Sequence, residues 1–221
     1  MAQQEAVRTS LTGSTSLTGA ALVRLLDALT DPRMRVRDAR AGFADGLVHW
    51  VGWADAIALS AALERPPAAN PDDAAFDARA ECVRVRATMA KALAREVAAT
   101  YADMGYTLFR RRYATQQQSM EDSIGALRER VRAAAAARSP ELARLSAVDT
   151  VMAQALGVQE RRLLGTVPGL LEKHYKRLQS EHEGSEDWVA LFRHDMQAVM
   201  LAELDLRLQP VEGLIEALDD D

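Results

Sequence analysis

This 221-residue sequence contains four histidines and one cysteine, side chains that could hold a metal or act as a nucleophile. A di-iron site in a helical protein needs Glu-x-x-His pairs on facing helices. No glutamate precedes a histidine at that spacing, because the residues three positions earlier are Gly46, Leu171, Gln179 and Leu191. His174 and His182 are eight positions apart on one predicted helix, which is beyond the reach of a single ion. The sequence therefore predicts no metal ligands.

Cys82 lies among apolar residues, with Val83 and Val85 close by and no histidine near it in the sequence. A nucleophilic thiol or hydroxyl needs an adjacent base or a lowered pKa. The sequence also contains no Gly-x-Ser-x-Gly elbow and no glycine-rich phosphate-binding loop. We therefore expect a protein that is not an enzyme, with no catalytic residues and no cofactor. The single cysteine also excludes an intrachain disulfide.

Residues 149–168 have the spacing of a helix-turn-helix, with Gly157 at the position of the turn. The side chains that would then face DNA bases are Gln159, Arg161 and Arg162. Thr166 stands at a position that is normally apolar, and Pro168 would cut the second helix short. An ordinary helix that ends at Gly157 is the favoured interpretation. A DNA-binding regulator is the alternative.

Aromatic and basic residues alternate in one stretch, which comprises Tyr106, Phe109, Arg110, Arg111, Arg112 and Tyr113. This composition could stack on bases or bind an anionic partner. Three consecutive arginines spread over about 200° of a helix, which favours surface arginines above core aromatics. A tryptophan pair, Trp50 and Trp53, could be a hot spot for a partner helix, but its apolar surroundings favour a position in the core. The candidate partner-binding residues are Trp50, Trp53, Tyr106, Arg110, Arg111 and Arg112.

Charge is unevenly distributed along the chain. The balance is −2 over residues 1–76, +5 over 77–138 and −8 over 139–221, for a net charge of −5. The positive middle could pack against the negative C-terminal third or bind an acidic protein partner. The acidic C-terminal third would repel nucleic-acid phosphates, so nucleic acid is the less favoured partner.

The composition predicts an all-α fold, because alanine, leucine, arginine and glutamate dominate and aromatics make up only 5%. Residues 47–62 form the most apolar segment, but it is shorter than the ~20 residues of a membrane span and contains Asp55. The first residues lack the basic and apolar regions of a secretory signal. We expect a cytoplasmic protein without membrane insertion.

The stretch between Pro71 and Pro140 contains no proline and predicts a long helix over about 73–113. Apolar residues recur there every seven positions, as in a coiled coil, and pair with alanines such as Ala80, Ala87 and Ala94. The next apolar set, over 113–131, is out of phase with the first. Capping signals at Thr115 and Ser119 coincide with this change of phase, so we expect a break near 113–119 and a second helix over about 119–138.

Further helices are predicted over about 20–29, 36–63, 159–164, 167–182 and 186–208. Ser139 and Pro140 have the residue types that begin another helix, and Pro210 is expected to end the 186–208 helix. Together these elements predict a multi-helix bundle. The predicted domain organisation is a disordered N-terminal tail over 1–16, one helical domain over 17–218 with a possible sub-boundary at 66–71, and an acidic tail over 219–221.

Three segments resemble an uncharacterised proteobacterial family catalogued as domain of unknown function three-three-four-eight. They are residues 17–26 (LTGAALVRLL), 50–63 (WVGWADAIALSAAL) and 201–214 (LAELDLRLQPVEGL). Genes of that family often stand beside a gene for a membrane protein that resembles proton-channel stators and beside one for an OmpA-like peptidoglycan-binding protein. The resemblance implies a cytoplasmic accessory of a cell-envelope complex, peripheral to the inner membrane through a partner. It brings no catalytic residues.

These observations predict a non-enzymatic helical protein that acts as an interaction or scaffold subunit. Self-association or docking of a protein partner is expected through helical faces of the 73–138 region.

Overall fold

A computed structural model describes residues 18–30, 52–64, 75–98, 105–182 and 187–221. Within these ranges the regular elements are α-helices, no strand occurs, and the all-α prediction is confirmed. The helices are α1 (Thr18–Leu29), α2 (Trp53–Glu64), α3 (Ala78–Ala98), α4 (Tyr106–Arg138), α5 (Pro140–Leu164), α6 (Val167–Glu181) and α7 (Asp187–Asp220). No helix in the described part of the chain is both long and apolar enough to cross a membrane.

The chain forms two compact units, each assembled from separate stretches of sequence. Unit 1 draws its described residues from the ranges 1–35, 86–121 and 168–209, and unit 2 from 36–85, 122–167 and 210–221. The core of unit 1 contains an aromatic cluster contributed by α4, α6 and α7. In unit 2, α2 packs against α5.

Local capping fixes the start and the end of α5. Ser139 has an extended backbone and its hydroxyl accepts a hydrogen bond from the Leu142 amide, while Pro140 occupies the first turn. This is the predicted N-cap with proline at the first helical position. At the other end, the Gly165 amide donates to the Arg161 carbonyl at 2.9 Å. Gly157 lies inside this helix, so the prediction that it ends the helix is corrected.

The break predicted near 113–119 does not occur. α4 continues without interruption through 113–119, whereas Gly105 stands outside the helices and α4 begins after it. The Thr115 hydroxyl donates to the Arg111 carbonyl one turn earlier at 3.1 Å, so it does not cap a new helix. A continuous buried stripe lies along α4, made of Phe109, Tyr113, Met120, Ile124, Leu127 and Val131. Burial of this stripe outweighs the weaker capping signals.

The buried face of α3 also differs from the heptad pattern in the sequence. Val83 is 63% exposed, and the alanines predicted to share its seam, Ala80, Ala87 and Ala94, are exposed as well. The buried side chains are those of Ala78, Cys82, Leu93 and Val97. Alanine favours a helix on any of its faces, so it could not indicate which face packs.

The C-terminal helix is longer than predicted. Pro210 lies inside α7 instead of ending it, and the helix continues to Asp220. Leu208, Val211 and Leu214 are all buried around the proline, so apolar packing compensates for the hydrogen bond that proline removes.

Several predictions fall outside the described residues: the tail over 1–16, the boundary at 66–71, Trp50 and much of the 36–63 helix. The part of that helix within 52–64 is helical from Trp53 onward.

Candidate functional site

A groove in unit 1 lies between the C-terminal end of α1 and one side of α6. Its volume is about 420 Å³, and it is open to solvent along one side. The described residues that line it are Leu29, Thr30, Leu170, Lys173, Lys176, Arg177 and Ser180. The α6 members recur at intervals of three and four residues, so they occupy one side of the helix next to its buried face.

The hydroxyl groups of the groove donate to backbone carbonyls three or four residues earlier in the chain. Thr30 Oγ1 donates to the Leu26 carbonyl at 2.7 Å, and Ser180 Oγ donates to the Arg177 carbonyl at 2.8 Å. Both hydroxyl protons are therefore in use, and the cations are the hydrogen-bond donors that remain for a ligand.

Three cations and no anion line the groove among the described residues. Lys176 pairs with Glu172 at 2.7 Å, and this hydrogen bond lowers the pKa of the Glu172 carboxyl. Lys173 is exposed and has no ionic partner in the described part of the chain. The groove therefore keeps a positive charge after the Lys176 pair is counted.

Arg177 connects the groove to a buried histidine. Its guanidinium lies 3.0 Å from His174 Nδ1, and His174 Nε2 lies 2.7 Å from Asp195 Oδ2. Arginine can only donate, so Nδ1 accepts and the ring proton of a neutral imidazole is on Nε2, facing Asp195. The buried imidazole thus orients one guanidinium at the groove.

An aromatic cluster lies beside this histidine. Phe192 contacts the rings of Phe109 and Tyr175 at centroid distances of 5.3 and 5.1 Å, and Tyr175 meets Trp188 edge-on at 5.0 Å. The Tyr106 hydroxyl donates to the Pro168 carbonyl. Burial raises the pKa of Tyr106 far above its usual value, so this phenol stays neutral.

The predicted arginine cluster is divided by the geometry of α4. Arg110 and Arg111 are exposed, whereas Arg112 is half-buried and pairs with Glu96 at 3.3 Å. Phe109 and Tyr113 of the same stretch belong to the core. Arg110 and Arg111 therefore remain available on the surface, but the cluster does not form one face.

A buried polar network joins α4 to α7 within unit 1. Glu203 is fully buried, and its carboxylate accepts from the Tyr113 hydroxyl at 2.7 Å and from Gln117 at 2.9 and 3.1 Å. Arg207 donates to the same carboxylate at 2.9 and 3.0 Å. Burial and the neighbouring Glu203 carboxylate raise the pKa of Tyr113 well above its usual value. The carboxylate is fully hydrogen-bonded and has no access to solvent, so the network is structural.

The outer surface of α2 in unit 2 is apolar. Trp53 is 83% exposed, Ile57 56% and Leu63 54%, and no residue of α2 is buried. Its half-buried residues are Asp55, Ala58, Leu59 and Ala62, which lie on the opposite side of the helix. The helix therefore packs weakly on one side and presents large apolar side chains on the other.

The helix-turn-helix interpretation is not supported by the geometry of α5 in unit 2. Gln159, Arg161 and Arg162 are on the last turns of one continuous helix, and the chain turns only at Gly165 and Thr166. Earlier in α5, Asp149 binds Arg128 at 2.8 Å and Arg132 at 2.7 Å. Burial opposes ionisation of Asp149, but the two arginines outweigh it and lower the pKa of that carboxyl.

The described ranges bring together no group of three histidine, cysteine or acidic side chains that could hold a metal ion. The thiol of Cys82 is buried. The groove was not predicted from the sequence, although the spacing of Leu170, Lys173 and Arg177 on one helix side is visible there. Nothing in that spacing indicates that α1, about 140 positions earlier, meets this side.

No curated protein and no solved structure matches this chain. One family profile matches residues 8–220, which is nearly the whole chain. Its description is Protein of unknown function (DUF3348). The chain therefore belongs to the DUF3348 family.

Proposed function

We propose that this chain is a non-enzymatic helical subunit that binds a protein partner through the outer surface of α2. The observation that carries the proposal is the exposure of Trp53, Ile57 and Leu63 on a helix with no buried residue. Exposed apolar side chains are ordinary when scattered, but a contiguous patch indicates an interaction site.

The three large side chains share one side of α2. At 100° per residue, Trp53 and Ile57 lie about 40° apart, and Leu63 lies about 80° from Trp53 in the other direction. The exposed residues Ala56, Ser60 and Glu64 fall inside the same arc, and Ala61 lies about 40° beyond Ile57. The small side chains of Ala56 and Ser60 allow close approach of a second helix, and tryptophan is enriched at binding hot spots.

The proposed partner is a protein with an apolar helical surface. The proposal extends to a cytoplasmic role as accessory of an envelope complex, with attachment to the inner membrane through that partner. A second copy of the chain is the alternative occupant, and the same measurement distinguishes the two.

The test compares wild type with Trp53→Ala and Ile57→Glu by crosslinking and affinity purification from both the soluble and the membrane fractions. Light scattering on the purified protein measures self-association in parallel. Val23→Glu is the matched control, because Val23 is 66% exposed on α1 in unit 1. We expect both α2 variants to lose a stoichiometric partner, or the dimer, by at least about tenfold while the control keeps it.

A monomeric protein with no stoichiometric partner would contradict the proposal. Equal loss in Val23→Glu and Ile57→Glu would also contradict it. Circular dichroism of each variant establishes that the helical content is unchanged.

A further inference from the structure

We propose that the groove between α1 and α6 binds a small anionic amphiphile, with a carboxylate head at the cations and a single aliphatic chain on the leucines. This site lies in unit 1 and is separate from the α2 surface on which the proposed function rests. Its ligand class follows from volume, lining and charge.

The groove has the volume of a small-molecule site. Its volume of about 420 Å³ falls in the range of roughly 300–1,000 Å³ that is common for ligand pockets. Leu29 and Leu170 provide apolar wall from two different helices, and the aliphatic stems of the lysines extend it. A chain lying between two helices is covered on both sides, which a flat surface patch cannot achieve.

The donors of the groove select an anion. The Thr30 and Ser180 hydroxyl protons are bound to backbone carbonyls, so a neutral polar head would find few free donors. Lys173 has no ionic partner in the part of the chain that the structure describes, and Arg177 carries further N–H groups besides the one that faces His174. A carboxylate head can accept from both cations at once.

The position of Arg177 is fixed by its neighbours. His174 Nδ1 accepts from its guanidinium, and Asp195 holds the other ring nitrogen of His174. A guanidinium that is already oriented loses less conformational entropy when it binds an anion. An acidic peptide helix is less well matched, because it would need a groove as long as several helical turns with a repeated apolar lining.

The experiment measures binding of three probes with the same chain, decanoate, decanol and decyltrimethylammonium, by calorimetry below their aggregation concentrations. We expect decanoate to bind at least about fivefold more tightly than decanol and the cationic probe not to bind. Octanoate should bind about fourfold more weakly than decanoate, because a half-open groove gives about twofold per methylene instead of the fourfold of full burial.

Two variants change the groove in different ways. Lys173→Glu reverses a charge at the rim and should weaken decanoate binding by about fivefold or more at low salt, with a smaller effect at high salt. Ser180→Phe fills the space while it leaves the cations in place, and should abolish binding. Lys91→Glu is the charge-matched control, because Lys91 is exposed on α3 and does not line the groove.

The chemical shifts of His174 test whether the ligand binds in the groove. The ring nitrogens of His174 should change chemical shift on addition of decanoate in wild type and in Lys91→Glu, but not in Ser180→Phe. Equal affinity for decanoate and decanol would overturn the proposal, as would equal weakening by Lys91→Glu and Lys173→Glu. Binding of an acidic peptide with no binding of decanoate would overturn it in favour of a protein ligand.

Discussion

Glu203 carries the buried charge whose loss should destabilise unit 1 most. Its carboxylate is fully buried, receives two hydrogen bonds from Arg207 and is also bonded by Tyr113 and Gln117. Glu203→Gln keeps the shape of the side chain but removes the charge, so Arg207 remains as a buried cation without its counterion. Arg207→Met creates the opposite state, a buried carboxylate without its guanidinium.

The expected losses of stability follow from the burial of both charges. Breaking a buried ion pair by removing one partner costs about 3–5 kcal/mol, because an uncompensated charge stays inside. Each single variant should therefore lower the free energy of unfolding by about that amount. The double variant removes both charges, and its glutamine oxygen can still accept from Tyr113 or Gln117. We expect it to be more stable than either single variant, with a coupling free energy of at least about 2 kcal/mol.

The assay needs a signal that reports on unit 1 alone. Trp188 is buried in unit 1 against Tyr175, so its fluorescence serves this purpose once Trp50 and Trp53 are replaced by phenylalanine. Urea denaturation followed by this fluorescence and by circular dichroism gives the free energy of unfolding. Glu181→Gln is the control, because Glu181 is exposed, and it should change stability by less than about 0.5 kcal/mol.

Additive losses of stability in the double variant would refute this prediction. If the double variant loses the sum of the two single losses, the charges of Glu203 and Arg207 do not stabilise one another, and the account of the network is wrong. A single-variant loss below about 1 kcal/mol would equally show that solvent reaches the carboxylate.

Further predictions concern unit 2 and the helix interiors. Asp149→Asn should cost up to about 3 kcal/mol in a urea titration, because the buried Arg132 loses the Asp149 carboxylate and keeps only its pair with the exposed Glu129. The pKa of Asp149 is lower in the folded than in the unfolded chain, so its stabilisation should be full above the unfolded-state pKa of about 3.9 and disappear as pH falls through the folded pKa. Gly125→Ala should raise stability by about 1 kcal/mol, since an added methyl group meets open space within α4. Pro210→Ala should raise the thermal midpoint by restoring the backbone hydrogen bond to the Leu206 carbonyl.

Local signals in the sequence predicted the helical class and several helix ends. Ser139 and Pro140 begin α5 as expected, and α1 and α6 lie where their apolar periodicity placed them. Predictions failed where a local signal opposed a long buried stripe. A capping hydroxyl contributes only about 1 kcal/mol, so Thr115 could not end α4 against several buried apolar side chains.

The candidate site was less predictable because it depends on long-range contacts. Trp53 was identified from its residue type, although the sequence favoured a core position and the structure exposes it. The buried charge of Glu203 could not be anticipated, because Tyr113 and Gln117 reach it from 90 and 86 positions earlier. Periodicity indicates which residues share a helix face but not which distant face covers them.

The discontinuous units have a consequence for synthesis on the ribosome. Unit 2 includes the bond between Arg79 and Asp219, which are 140 positions apart, and unit 1 requires α7 residues up to 209. Neither unit can therefore complete its core before nearly the whole chain has left the exit tunnel. Nascent chains should expose the apolar faces of α3 and α4 for most of translation, which makes them natural clients of ribosome-associated chaperones. Premature termination within α7 should leave both cores incomplete, so such products should be degraded instead of accumulating as stable fragments.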